Sequence, residues 1–110
     1  MPDKYFALEN KFELLKIPLT DICYFEKIKS THNVCVVYAG GIATFKRDLR
    51  DVLRKLDYGF VQCHKSFIAN TARIVRIEKF KTYATLHFTG DISCPCSLLY
   101  KKAVMKQWKS

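Results

Sequence analysis

The chain has 110 residues, enough for one domain with its own core and no metal or disulfide staple. Its 19 Lys and Arg against 10 Asp and Glu leave a net charge of +9, which suits a polyanionic partner as well as a simple solubility surplus. No run approaches the roughly 18–20 apolar residues of a membrane span, and Met1-Pro2-Asp3-Lys4 lacks the basic-then-apolar layout of a secretion signal, so a cytoplasmic location without membrane contact is expected.

In chain order, short strands come first. Tyr5–Glu9 and Phe12–Ile17 flank the two-residue turn Asn10-Lys11, and Pro18–Ile22 reads as a single helical turn. Cys23–Glu26 and Val34–Tyr38 are strands around the polar loop Lys27–Asn33. Ala39-Gly40-Gly41 turns the chain into a further strand, Ile42–Phe45. Over Lys46–Leu56, apolar Leu49, Val52, Leu53 and Leu56 recur at helical spacing, and Asp57-Tyr58-Gly59 stops that helix. Its exposed face mixes both charge signs, which marks a scaffold helix and not a recognition helix.

Strands return in the second half. Phe60–Gln62 leads into Cys63–Asn70, where apolar and polar residues mix irregularly. A turn at Thr71–Arg73 feeds Ile74–Phe80, then Tyr83–Phe88 and Ile92–Cys96, and Leu98–Trp108 closes the chain as a helix with Ser97 as N-cap. The pattern is one mainly β domain over residues 1–110, with two short helices.

Charge is uneven along this pattern. Residues 1–57 carry ten basic and eight acidic side chains, residues 58–110 nine and two (Glu78 and Asp91). The five cysteines, Cys23, Cys35, Cys63, Cys94 and Cys96, are odd in number and follow no small-scaffold spacing, which fits reduced thiols packed as small hydrophobes. Cys63-His64 is no nucleophile–base pair, because strand neighbours point to opposite faces. Cys94-Pro95-Cys96 lacks zinc-knuckle spacing, and no glycine-rich phosphate loop exists. The sequence therefore predicts no enzyme, no catalytic residue, no metal and no cofactor. A redox role is the one chemical expectation: His64 and Lys65 set positive charge beside Cys63, and oxidation could join it to Cys94 or Cys96 if their strands lie together.

Three donor clusters suit nucleic acid. The first is Lys29, Thr31, His32 and Asn33 in the polar loop; the second is Lys65-Ser66. The third is Ser97, Tyr100 and Lys102 at the start of the last helix, where a phosphate is favoured. Each cluster alone reads equally well as a wet loop or charged helix face, and only their meeting on one surface makes a site. An alternative is an RNA- or protein-binding β-module without base-specific DNA recognition. For it, Tyr5, Phe6, Tyr24, Phe25, Tyr83 and Phe88 would have to include exposed stacking residues instead of filling the core.

Several stretches, in order across nearly the whole chain, resemble the LytTR family, the DNA-binding module of AgrA-like and LytR-like response regulators. They are Ile17–Glu26, His32, Phe45 with the Leu49/Leu53/Leu56 helix, Phe60–Asn70, and Pro95-Cys96-Ser97 with Tyr100. The resemblance implies an elongated stack of small antiparallel sheets and a transcription regulator that inserts loops into successive major grooves of double-stranded DNA. It implies promoter repeats as the target and a homodimer formed on them. Under it, His32 corresponds to a base-contacting histidine, and Lys65 stands where the family usually offers Arg or Asn. Ser66 and Asn33 correspond to backbone contacts. The family commonly places an arginine just after the serine matching Ser97; Leu98 and Leu99 stand there instead, leaving Leu99 for apolar contact with a thymine methyl. Such domains usually follow a phosphorylatable receiver domain, and these 110 residues contain none.

Overall fold

The computed structural model describes residues 5–57 and 59–110; of the expected helix stop, Tyr58 lies outside them. Among the described residues, ten strands form three antiparallel sheets. Strands β1 (Tyr5–Glu9) and β2 (Leu14–Pro18) make a hairpin. A five-stranded sheet has the order β5-β4-β3-β7-β6, built from β3 (Ile22–Lys27), β4 (Asn33–Tyr38), β5 (Gly41–Lys46), β6 (Phe60–His64) and β7 (Phe67–Asn70). The third sheet has the order β10-β9-β8, from β8 (Ile74–Lys79), β9 (Tyr83–Phe88) and β10 (Ser93–Ser97). Helix α1 (Leu49–Arg54) follows β5, and α2 (Leu98–Lys109) ends the chain. The small antiparallel sheets are as expected, while extents of 41 × 35 × 26 Å show a domain only slightly longer than it is wide.

The five-stranded sheet is the middle layer because its strands are apolar on both faces. On one side Phe25, Val34, Val36 and Ile68 meet Phe6, Leu8 and Ile17 of the hairpin, with Leu49 and Val52 of α1. On the other, Cys23, Cys63 and Ala69 meet Ala84, Leu86, Phe88, Cys94 and Cys96 of the third sheet and Val104 of α2. In β1 and β9, alternation of buried and exposed residues is strict, as the period of a strand requires.

Most element ends differ from the sequence reading by a residue or two, and three larger differences have a local reason. The second strand begins at Leu14, not Phe12, because the Asn10 side-chain oxygen accepts the Phe12 and Glu13 N–H groups and lengthens the turn. The first helix starts at Leu49, not Lys46: Lys46 still pairs with Asn33 as the end of β5. The irregular stretch Cys63–Asn70 is the close of one hairpin. The pairing shifts between Gln62 and His64, so Cys63 bulges inward and breaks the alternation. Junctions are held by Asn70, buried at 4% exposure. Its amide donates to the carbonyls of Leu19 and Ile22 while its oxygen accepts the Ala72 N–H.

Candidate nucleic-acid interface

The first candidate loop joins β3 to β4 and is internally braced. Thr31 donates its hydroxyl to the Ile28 carbonyl at 2.8 Å and accepts the Asn33 N–H at 3.0 Å. Ser30 takes φ 63°, the left-handed region that only a tightly constrained non-glycine residue keeps. Thr31 thus builds the loop, while Lys29, His32 and Asn33 stand exposed on it.

Two backbone bonds place this loop. Lys27 N–H donates to the Ser66 carbonyl at 2.8 Å, joining it to the β6–β7 turn that carries Lys65 and Ser66. Arg47 N–H donates to the His32 carbonyl at 2.9 Å, and His32 Nδ1 lies 4.0 Å from an Asp48 carboxylate oxygen. Both partners of that ion pair are mostly exposed, so it contributes little beyond biasing the ring. In the second turn, His64 Nδ1 accepts the Ser66 N–H at 3.1 Å and its ring meets Phe67 edge-on. Lys65 is left exposed at the tip.

The third cluster reaches the same edge through Tyr100. Tyr100 of α2 and Lys65 line one cleft of about 700 Å³, with Lys27, Asp48, Arg50 and Gln62 among its other walls. Leu99, the neighbour of Tyr100 in the chain, is 83% exposed, and Lys102 is exposed as well; neither lines the cleft. Ser97 occupies the N-cap position with extended backbone, but its side chain makes no capping hydrogen bond, contrary to expectation. The first two loops are therefore joined through the Lys27–Ser66 bond, and Lys65 and Tyr100 share the cleft; of the third cluster only Tyr100 is brought to it.

Residues passed over in the sequence also reach this edge. Arg50 is exposed on the first turn of α1 and walls the cleft with Lys65, while Arg54 is paired with Asp51 at 3.2 Å. The apolar stripe of α1 gave it a scaffold role, which Leu49 and Val52 do fill. The only hint of more was its position directly after the strand that pairs with Asn33.

The thiols lie behind this edge. Cys63 and Cys94 sulfurs are 4.0 Å apart, both buried. The hydrogen bond to Cys63 and burial push the Cys94 thiol well above the ordinary range, and burial pushes Cys96 up to about 11. Both shifts disfavour the thiolate. Among the described residues no three His, Cys, Asp or Glu side chains group as metal ligands, and no helix is long and apolar enough to cross a membrane. Of the six aromatics weighed for stacking, Phe6, Phe25 and Phe88 are buried, and Tyr24 is half-buried with its hydroxyl pushed up to about 12 by burial and then by Glu26. Tyr5 and Tyr83 are exposed, but on different sheets.

A family model described as the LytTr DNA-binding domain matches residues 13–109. A solved LytTr DNA-binding domain from Bacillus cereus superposes with a TM-score of 0.83 over 96% of each chain, at 21% sequence identity, which is a likeness of fold. Among curated proteins none matches.

Proposed function

The chain belongs to the LytTR DNA-binding domain family, and from that membership we propose that it reads double-stranded DNA in a sequence-specific way through loops set into major grooves. It is a DNA-binding domain of a transcription regulator, not an enzyme. On this reading it acts as one domain over residues 1–110 in the cytoplasm, and pairs with a second copy on promoter repeats.

What supports the reading is the Lys27–Ser66 main-chain bond, with the cleft shared by Lys65 and Tyr100, since together they link a residue of each donor cluster. A hairpin loop is slim enough for a groove roughly 12 Å wide, and His32 or Lys65 can donate to guanine N7 or O6. Lys29, Asn33, Ser66, Ser97 and Lys102 meet phosphates; Thr31 serves by shaping the loop. Leu99 offers only a methyl contact to thymine.

Selecting bound duplexes from a random pool tests this directly, since enrichment of a motif requires base reading. On the selected duplex, His32→Ala costs about 1–3 kcal/mol and relaxes one position. Lys102→Ala weakens binding to every duplex alike and lowers the salt slope by about one. Equal losses on selected and random duplex for His32→Ala would remove its reading role. Single-stranded RNA outcompeting duplex DNA would favour the RNA-module alternative.

A second reading rests on the Cys63–Cys94 contact. Burial keeps peroxide from both sulfurs in the closed fold, so the step needs local opening: hydrogen peroxide then oxidises one thiol to a sulfenic acid and releases water, and the other sulfur displaces a second water and closes a disulfide. The sulfurs must close from 4.0 Å to about 2.05 Å, drawing β6 toward β10 behind Lys65 and Ser97. Cys96, buried in the same cluster, is the alternative partner. Loss of two hydrogens in the mass spectrum together with altered DNA affinity supports it; unchanged mass, mobility and affinity after mild peroxide end it.

A further inference from the structure

The turn between β8 and β9 lies outside the three clusters, yet it is fastened to the last of them. Lys101 Nζ donates to the Phe80 carbonyl at 2.7 Å, pinning the turn against the first helical turn of α2. Tyr83 pairs directly with Ser97 across the β9–β10 ladder, so their side chains share a face. Phe80 and Tyr83 stack at 4.7 Å between centroids with planes 15° apart, and remain 38% and 46% exposed. Stacking across the turn, with the Phe80 N–H on the Tyr83 carbonyl at 2.9 Å, makes it a rigid projection.

Exposed apolar and cationic residues flank this turn and the element it is tied to. Leu98 and Leu99, which follow Ser97 in the chain, are 60% and 83% exposed. Lys79 and Lys81 at the turn and Lys102 on α2 are exposed as well. Exposed large side chains in one place normally mark contact with a partner, and here the lysines and the tie through Lys101, the neighbour of Tyr100, favour the partner of that edge.

Resting on the DNA-binding reading above, we propose that the β8–β9 turn is a fourth DNA-contacting element, with Lys79 and Lys81 neutralising phosphates and Tyr83 and Leu99 packing against deoxyribose and thymine methyls. It lengthens the footprint by one step past the start of α2. It also supplies an apolar surface at the station where the family's arginine is replaced by leucine.

The test compares salt dependence of binding to a selected duplex for the wild type, Lys79→Gln/Lys81→Gln, Tyr83→Ser and Lys106→Gln, with backbone-cleavage footprints of each. Lys106 walls a different groove, with Leu19 and Trp108, and serves as the control. The double lysine variant is expected to lower the salt slope by about two, one per lost phosphate contact, and to erase protection at one end of the footprint. Tyr83→Ser is expected to weaken binding at least threefold without changing the slope, and Lys106→Gln to change neither. Replacing thymine by deoxyuridine at that end is expected to weaken the wild type and leave Tyr83→Ser nearly unaffected. A lysine variant with wild-type slope and footprint, while His32→Ala still impairs binding, overturns this inference alone. A Tyr83→Ser variant that instead abolishes a concentration-dependent dimer with DNA affinity intact assigns the patch to a second copy and overturns it too. Wild-type protein that binds no duplex sinks both this inference and the reading beneath it.

Discussion

The two cores on either side of the five-stranded sheet are built from different materials. Toward the β1–β2 hairpin, Phe6, Phe25, Phe45 and Phe60 form a connected aromatic cluster with centroid separations of 5.0–6.4 Å. Toward the third sheet, Cys23, Cys63, Ala69, Ala84, Cys94 and Cys96 pack with Ile74, Leu86, Val104 and one buried ring, Phe88. Rings dominate the first core, whereas thiols and methyls make up most of the second and leave little room for added volume there. This close-packed side underlies the elements that carry Lys65, Tyr100 and Phe80.

Truncation and enlargement should therefore act oppositely on the two sides. The largest effect expected is from Phe25→Ala, fully buried at the centre of the aromatic cluster, at about 3–5 kcal/mol of lost stability in urea unfolding. Next is Ala84→Leu on the thiol side, fully buried, where overpacking costs about 1–3 kcal/mol and DNA affinity falls as the third sheet is displaced. An Ala84→Leu protein with wild-type midpoint and affinity would refute the close-packed description. Smaller still is Cys63→Ala, which removes one buried sulfur for about 1 kcal/mol; a loss above that of Phe25→Ala reverses the ranking.

Alkali should separate the cores without any substitution. The fully buried members of the aromatic cluster include no titratable group, while Cys96 and Tyr24 border the other, pushed up to about 11 and about 12. A raised folded pKa means the proton is held more tightly in the native state. That stability is complete below pH 9, is lost through Cys96 as pH climbs toward 11, and through Tyr24 between pH 10 and 12. Trp108, bonded through its indole N–H to the Ile74 carbonyl at 2.9 Å, reports on that side by fluorescence. A urea midpoint unchanged from pH 8 to pH 12 would refute the expectation.

Much of this was legible in the residues. Strand-like composition located β1, β8 and β9, helical spacing located α1, the Ser97 N-cap position located α2, and the motif order from Ile17 to Tyr100 pointed to the family; in β8 the alternation of Val75 and Ile77 fails, because the pairing shifts between Ile74 and Arg76 and leaves Val75 exposed. The division into three sheets was not, because strand partners such as Phe25 and Ile68 are joined by contacts far apart in the chain that no local pattern encodes. The β6–β7 hairpin hid behind the Cys63 bulge, which scrambles the two-residue period. Within the candidate site, polar loop residues were visible as donors, but Thr31 gave no sign that its hydroxyl is taken by Ile28. Nor did Arg50 or the Phe80–Tyr83 turn announce themselves, since a mixed-charge helix and an aromatic strand end usually belong to scaffold.

The tie between the first two loops runs from peptide to peptide, Lys27 N–H to Ser66 carbonyl. No substitution other than proline at position 27 deletes it. Residues at the tips can then be exchanged while the span between them is preserved, much as letters change in a fixed typeface frame. On the proposed DNA reading, single replacements at positions 32 or 65 would change the target sequence while the tie between the two loops stays in place.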